Sequence, residues 1–279
     1  MRQPMKWIVP CLFYLLATTM ATGQQMVVAT ASFDSTAAVR ARAYLNSLPD
    51  TAYQKKIYTT GQTSLPYRLL VPPNQGAHQK YPLVITLHNS SRMGTDNEKQ
   101  LEPLARIWLQ KEIREQYPAF VAAPQFAVRS SNYAMDSVKG VLASFPAAEV
   151  GLVLGLVRDL LKDHSEIDRR RVYLVGYSMG ASTAQHLLSM APDLFAALVS
   201  IAGVPDFSNI AGMAHKPIWL IHGDADDENP YAGTVALFKL LKKNRRLLFT
   251  RFRHFNHNNI SVPFLSDDAL PAWLFKQKR

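Results

Sequence analysis

From about Leu65 onward, short apolar runs alternate along the chain with segments whose apolar residues recur at helical spacing. Tyr67 to Val71 reads as a strand closed by Pro72-Pro73, and Pro82 to Leu87 is an unbroken β-rich run of the kind buried on both faces of a parallel sheet. The period then changes. Leu101, Leu104, Ala105, Trp108 and Leu109 fall on one face of a single predicted helix, and the strand Ala119 to Ala123 follows. A second stripe, Leu152, Val153, Leu156, Val157, Leu160 and Leu161, leaves Arg158, Asp159, Lys162 and Asp163 for solvent. Strand Val172 to Val175, a helix near Ser182 to Met190 and strands Ala197 to Ile201 and Ile218 to Ile221 come next. Helix Ala232 to Lys242, strand Leu247 to Phe252 and a helix ending near Phe275 complete the series. Strands alternating with helices of these lengths predict an α/β fold, a mostly parallel, doubly wound sheet with helices on both faces.

Upstream, residues 24–57 lack this order apart from a predicted helix around Thr36 to Leu48, and they read as a lead-in packed against a catalytic domain at 58–279. Residues 1–23 carry Arg2 and Lys6, the apolar run Trp7 to Ala17 and a small-residue end, Ala21-Thr22-Gly23. That is the pattern of a secretory signal peptide, and the run falls short of the roughly 20 residues that span a bilayer. The expectation is a secreted or periplasmic protein with no stable membrane anchor. Cys11 is the single cysteine, so cleavage after Gly23 would leave neither disulfide, thiol catalysis nor cysteine-bound metal. Of the formal charge of +10, Arg2 and Lys6 supply two, leaving +8 on a chain of ordinary globular composition. The charge is spread over Arg169-Arg170-Arg171 and Lys242 to Arg246, which reads as solvated surface, with no nucleic acid as partner.

Gly176-Tyr177-Ser178-Met179-Gly180 matches G-x-S-x-G, directly after the strand Val172 to Val175 and just before the helix near Ser182. A serine hydroxyl is a poor nucleophile alone, so this reading requires a base and a group that orients it. Candidates follow in the order acid, then histidine. The acid is open among Asp224, Asp226 and Asp227, with Asp226 favoured, and the base between His257 and His254, with His257 favoured. His222 reads as shaping the loop beside its strand. Oxyanion donors are expected from the Met179 amide and from the loop His88 to Ser91, where Ser90 is the choice. Tyr133, Phe145, Tyr177 and Phe255 are candidates to line an acyl site. The scattered histidines form no metal-binding pair, and no Gly-rich phosphate loop appears, so no cofactor or metal is expected.

Leu65 to Pro72, Tyr81 to Val84, Gly94-Thr95-Asp96-Asn97, Ala123-Pro124-Gln125 and Gly176 to Gly180, in this order, resemble secreted carboxylesterases of the α/β-hydrolase superfamily. The group includes feruloyl and acetylxylan esterase-like, phospholipase/carboxylesterase and dienelactone-hydrolase-like proteins. The resemblance implies Ser178 as nucleophile, Asp226 through His222-Gly223-x-x-Asp226 with Pro230 following, and His257 through His257-Asn258. It further implies an α/β-hydrolase fold and hydrolysis of small-molecule or polysaccharide-linked carboxylic esters, with feruloyl or acetyl groups as examples. Two positions depart from it. Asn89 stands where the family usually has glycine, and Ile260 where an aromatic often follows the histidine. The competing readings are a serine peptidase related to prolyl oligopeptidases and a catalytically silent polysaccharide- or partner-binding protein.

Overall fold

In the computed structural model, which describes residues 24–30, 34–73 and 78–279, strands and helices follow one another from end to end. The signal-peptide expectation for residues 1–23, Cys11 included, lies outside the described residues. β1 (Gln25–Ala29) and α1 (Ser35–Ser47) come first, then the strands β2 (Tyr53–Thr60), β3 (Thr63–Leu70) and β4 (Tyr81–Leu87). Two short helices, α2 (Pro103–Arg106) and α3 (Lys111–Gln116), precede β5 (Phe120–Pro124) and a separate hairpin, β6 (Ser131–Asp136) with β7 (Val141–Pro146). The remainder runs α4 (Ala148–Asp163), β8 (Ile167–Tyr177), α5 (Met179–Met190), β9 (Ala197–Ile201), α6 (Ile210–Met213), β10 (Ile218–Gly223), α7 (Tyr231–Leu240), β11 (Leu247–Phe252) and α8 (Ala269–Phe275).

Nine strands form one sheet in the order β1-β11-β10-β9-β8-β4-β5-β3-β2. Neighbours are parallel except β2 with β3 and β3 with β5. The central strands are apolar on both sides because both sides are covered. Leu83, Ile85, Leu87, Val172 and Leu174 join Val153 and Val157 of α4 and Leu187 of α5 on one face. Val84, Tyr173 and Val175, the alternate positions, join Leu45 of α1, Trp108, and Leu270 and Leu274 of α8 on the other. Each such buried side chain contributes on the order of 1.5–3 kcal/mol. This two-sided burial fixes the register, since a slip by one residue would exchange the faces. It thereby fixes where each strand stops, and the loops after β4, β8, β10 and β11 meet at one edge.

Two expectations need correction. The stripe Leu101 to Leu109 does not form one helix: Pro103 opens α2, Ile107–Leu109 tightens to a 3-10 turn, and Gln110 is extended at φ −61°, ψ 132° before α3. Its apolar residues are buried as the period requires, so the burial was legible and the continuity was not. Residues 24–57 also contain more than the helix seen in their pattern. β1 adds a parallel strand at the β11 edge, and β2 runs from Tyr53 across the boundary drawn at residue 57.

Helix α4 carries two glycines in its interior. A Cβ on Gly151 meets nothing within 4 Å, whereas one on Gly155 would lie 2.1 Å from the Tyr58 hydroxyl oxygen. Gly151→Ala is therefore expected to raise stability by roughly 0.5–1 kcal/mol, the helix-propensity difference. Gly155→Ala forfeits that gain by displacing Tyr58, and urea unfolding midpoints of the two variants will separate them.

Candidate active site

β8 ends in a turn too tight for ordinary residues at two of its positions. A Cβ on Gly176 would lie 2.2 Å from the Gly180 carbonyl oxygen, and one on Gly180 would lie 2.0 Å from that of Leu87. Glycine at both lets β4, β8 and α5 close on one another, with Ser178 between them. Ser178 adopts φ 57°, ψ −122°, a conformation that costs a non-glycine residue about 1–3 kcal/mol. Its own N–H holds the turn by donating to the Ile201 carbonyl at the end of β9, 2.9 Å away. The first intrahelical bonds of α5 run from the Ala181 and Ser182 N–H groups to the Ser178 carbonyl. Met179 thus opens the helix with its N–H ahead of the ladder.

The Ser178 hydroxyl donates to His257 Nε2 at 2.8 Å, and His257 Nδ1–H donates to Asp226 Oδ2 at 2.9 Å and Oδ1 at 3.1 Å. Both Ser178 and His257 are buried. Tyr177 fixes the imidazole from outside this line: the two rings stack at 5.3 Å, and the Tyr177 hydroxyl donates to the His257 carbonyl at 2.7 Å. The loop bearing His257 presses against the loop bearing Asp226. The Ala225 N–H donates to the Phe255 carbonyl at 3.1 Å, and a Cβ on Gly223 would lie 2.0 Å from that same oxygen.

The Asp226 carboxylate is fully buried and surrounded by donors. Oδ1 accepts the N–H groups of Glu228 at 3.0 Å and Asn229 at 2.8 Å, while Oδ2 lies 3.1 Å from His222 Nε2. Burial alone would favour the acid form. The hydrogen bonds from His222, His257 and the Asn229 N–H outweigh it and hold the carboxyl well below the usual carboxylate range. His222 is itself pinned, with Nδ1 2.7 Å from the Thr234 hydroxyl and Nε2 also 2.9 Å from the Asn229 carbonyl. The other candidates have different work. Asp224 accepts from Arg251 Nε and a terminal guanidinium nitrogen at 3.0 and 2.8 Å and from the His254 N–H at 2.7 Å; Asp227 and His254 are exposed.

Ser90 opens a 3-10 turn, Ser90–Arg92, which follows β4 after His88 and the capping Asn89. Beside it opens a cleft of about 440 Å³ whose lining includes Asn89, Glu102, Tyr177, Asn258, Ser261 and Arg42. Of the aromatic candidates, Tyr177 lines this cleft, Phe255 is buried in the core, Tyr133 is half-buried and Phe145 is exposed. Ile260, at the second departure from the family pattern, is buried. Among the described residues no group of three or more His, Cys, Asp or Glu side chains could hold a metal ion, and no helix is long and apolar enough to cross a membrane. Sequence reasoning did not single out Glu228, whose Oε2 is 3.6 Å from His257 Nε2, or the buried Glu102.

The strained serine yields a stability test. Ser178→Gly relieves about 1–3 kcal/mol of backbone strain and adds up to roughly 1 kcal/mol of unfolded-chain entropy. It is expected to be more stable than Ser178→Ala, which keeps the strain, by about 1 kcal/mol in urea unfolding.

The prolyl oligopeptidase family model matches residues 154–215, from within α4 through α5 to beyond α6, with Ser178 inside. A poly(3-hydroxybutyrate) depolymerase of Ralstonia pickettii is 31% identical over 129 residues, 45% of this chain and 26% of that protein. A bifunctional acetylxylan esterase/xylanase of Neocallimastix patriciarum is 35% identical over 81 residues, 29% of this chain and 12% of that one. The chain thus spans about a quarter and about an eighth of the length of these relatives through the matched segments. Among solved structures, a thermostable esterase superposes with a TM-score of 0.73 at 28% identity, over 82% of this chain and 64% of that one. The ferulic acid esterase of Anaeromyces mucronatus follows with a TM-score of 0.55 at 16% identity, over 76% and 87%. By strand order, by the turn at Ser178 and by these likenesses, the chain has the α/β-hydrolase fold of the carboxylesterases it resembles.

Proposed function

We propose that the protein is a serine hydrolase that cleaves carboxylic esters through an acyl-enzyme. The observation that carries this reading is the line Asp226, His257, Ser178, at 2.9 and 2.8 Å, ending in a hydroxyl on a strained turn whose preceding residue, Tyr177, lines the cleft. Ser178 Oγ attacks the ester carbonyl as its proton passes to His257 Nε2. Asp226, held ionised by its donors, orients the imidazole and stabilises the imidazolium. The carbonyl oxygen, now an anion, accepts hydrogen bonds from the Met179 and Ser90 N–H groups. Collapse breaks the carbon–oxygen bond, and the leaving alcohol takes the proton from Nε2. Water then repeats the sequence, its proton going to Nε2, and releases the acid with Ser178 restored.

The segmental likenesses to an acetylxylan esterase and to a hydroxybutyrate-polymer depolymerase support an ester carried on a larger molecule, a polysaccharide-linked ester among them. The basic, apolar and small-residue order of residues 1–23 supports export to the periplasm or beyond. One observation favours a second reading, amide cleavage: the match at residues 154–215 is to the prolyl oligopeptidase family. Parallel assays on p-nitrophenyl esters and on peptide p-nitroanilides separate the two.

In those assays Ser178→Ala is expected to abolish turnover and fluorophosphonate labelling while remaining folded. Asp226→Asn should lower kcat by about 10³–10⁴, the usual loss when the orienting carboxylate is neutralised. Asp224→Asn should leave kcat within a few-fold, because its partners are Arg251 and the His254 N–H. A dead Asp224→Asn beside an active Asp226→Asn would reverse the assignment.

A further inference from the structure

Asn89 stands where the resembling esterases usually have glycine, and both ends of its side-chain amide are in use. Oδ1 accepts from the Ser91 N–H at 2.8 Å and the Ser91 hydroxyl at 2.7 Å, capping the 3-10 turn. Nδ2 donates to Glu102 Oε2 at 2.8 Å. Glu102 is almost fully buried at the start of α2, where its carbonyl accepts the Ala105 and Arg106 N–H groups, so the carboxyl is held on a fixed element. On the other side, the loop is fixed by His88, whose Nδ1 meets the Asn89 carbonyl at 2.7 Å and whose Nε2 accepts the Phe126 N–H at 3.0 Å.

This arrangement disposes of the loop's amides in turn. Ser91 N–H goes to Asn89 Oδ1, and Arg92 N–H to the Asn89 carbonyl at 3.2 Å. The Ser90 N–H has no acceptor among the described residues and is left to a ligand. We propose that Glu102 is a positioning residue for ester hydrolysis, which holds the Asn89 side-chain amide and so sets the Ser90 amide where the oxyanion forms. The inference rests on the proposed serine-hydrolase reading and adds a residue that touches neither substrate nor reacting atoms.

The charge of Glu102 matters as much as its geometry, since a carboxylate beside the oxyanion loop would oppose the charge that develops there. Burial pushes the Glu102 acid up to about 8, against the pull of Arg92 and the Asn89 N–H, so the neutral form prevails at pH 7. The other charged or titratable groups sharing the cleft are Arg42 of α1, Glu98, Lys99, Arg106 of α2 and Tyr177 at the end of β8. Glu98 is engaged by Lys55, Lys99 by Asp96, and Arg106 by Asp50 and the Leu101, Leu45 and Leu48 carbonyls. Arg42 donates to the Asn258 carbonyl.

The test is the pH dependence of kcat and KM for a p-nitrophenyl ester with wild type, Glu102→Ala and Glu102→Gln, alongside fluorophosphonate labelling rates and thermal melts. Glu102→Ala is expected to lose 10- to 100-fold in kcat with KM changed less than threefold. Glu102→Gln, whose side-chain oxygen can accept the Asn89 Nδ2–H, should recover kcat to within threefold of wild type at pH 7. Wild-type kcat should fall as pH rises through about 8, and that fall should be absent in Glu102→Gln. A folded Glu102→Ala with wild-type kcat, or the same alkaline fall in wild type and Glu102→Gln, would overturn the role. If Glu102→Ala does not fold, Asn89→Ala replaces it, with the same expected loss in kcat and the same overturning result. Wild type that neither hydrolyses esters nor labels overturns the serine-hydrolase reading instead, and this role with it.

Discussion

The close approach of three backbones around Gly176 and Gly180 is the constraint on which the site depends. Because neither glycine has a Cβ, the carbonyls of Gly180 and Leu87 can occupy space that a methyl group would fill, and α5 can start within one residue of the end of β8. The chain reverses there through Ser178 at φ 57°, which lifts the hydroxyl out of the sheet edge. Packing on both sides of β4 and β8 opposes relaxation of this strain, because the turn cannot open without dragging strands out of register. The local cost is carried by the global core. The same approach brings the end of β4 against the start of α5, so the loop carrying Ser90 and the helix carrying Met179 are set by one contact.

The opposite half of the site is organised by charge. A buried carboxylate is costly to desolvate, and only satisfied oxygens make its burial tolerable. Asp226 has His257 and His222 on one oxygen, with His257 also near the other, and two backbone amides beyond. His222 can serve only because Thr234 on α7 meets its second nitrogen, so a helix on the sheet's face determines how a loop at its edge behaves. Removing such a partner would loosen Asp226 and, through it, the imidazole. Glu102 solves the matching problem in the opposite way. It lacks a cationic partner at hydrogen-bond distance among the described residues, so burial drives it toward the neutral acid.

Much of this was legible in the sequence where several signals coincide. Strands Ala197–Ile201 and Leu247–Phe252 occur at the residues their β-rich patterns mark, and Ser178, Asp226, His257 and Met179 sit at the ends of elements that periodicity reveals. What escaped has physical reasons. β1 is largely exposed and β6 and β7 are mixed in burial, so neither the edge strand nor the hairpin shows the alternation of a half-buried strand. The break in the stripe Leu101 to Leu109 was hidden because burial follows apolar residues whether or not the backbone stays helical. Choosing Asp226 over Asp224 drew on the family resemblance through His222-Gly223-x-x-Asp226, and the physical cause, Arg251 and the His254 amide holding Asp224, involves a strand 27 residues away.

Glu102 marks the limit more sharply. A glutamate in a sequence is ordinarily a surface residue, and nothing in its immediate neighbours marks this one as buried. Asn89, by contrast, is visible as a departure from a family pattern, but its meaning is not, because glycine and asparagine at that position solve different problems. Glycine supplies a free backbone; asparagine brings a side-chain amide with donors as well as an acceptor, and here its donor finds a carboxyl from elsewhere in the chain. The two anomalies explain each other once they are 2.8 Å apart. A change that would constrain the oxyanion loop if made alone becomes a means of aiming it, because the residue receiving the amide is fixed at the start of a helix and burial favours its neutral form.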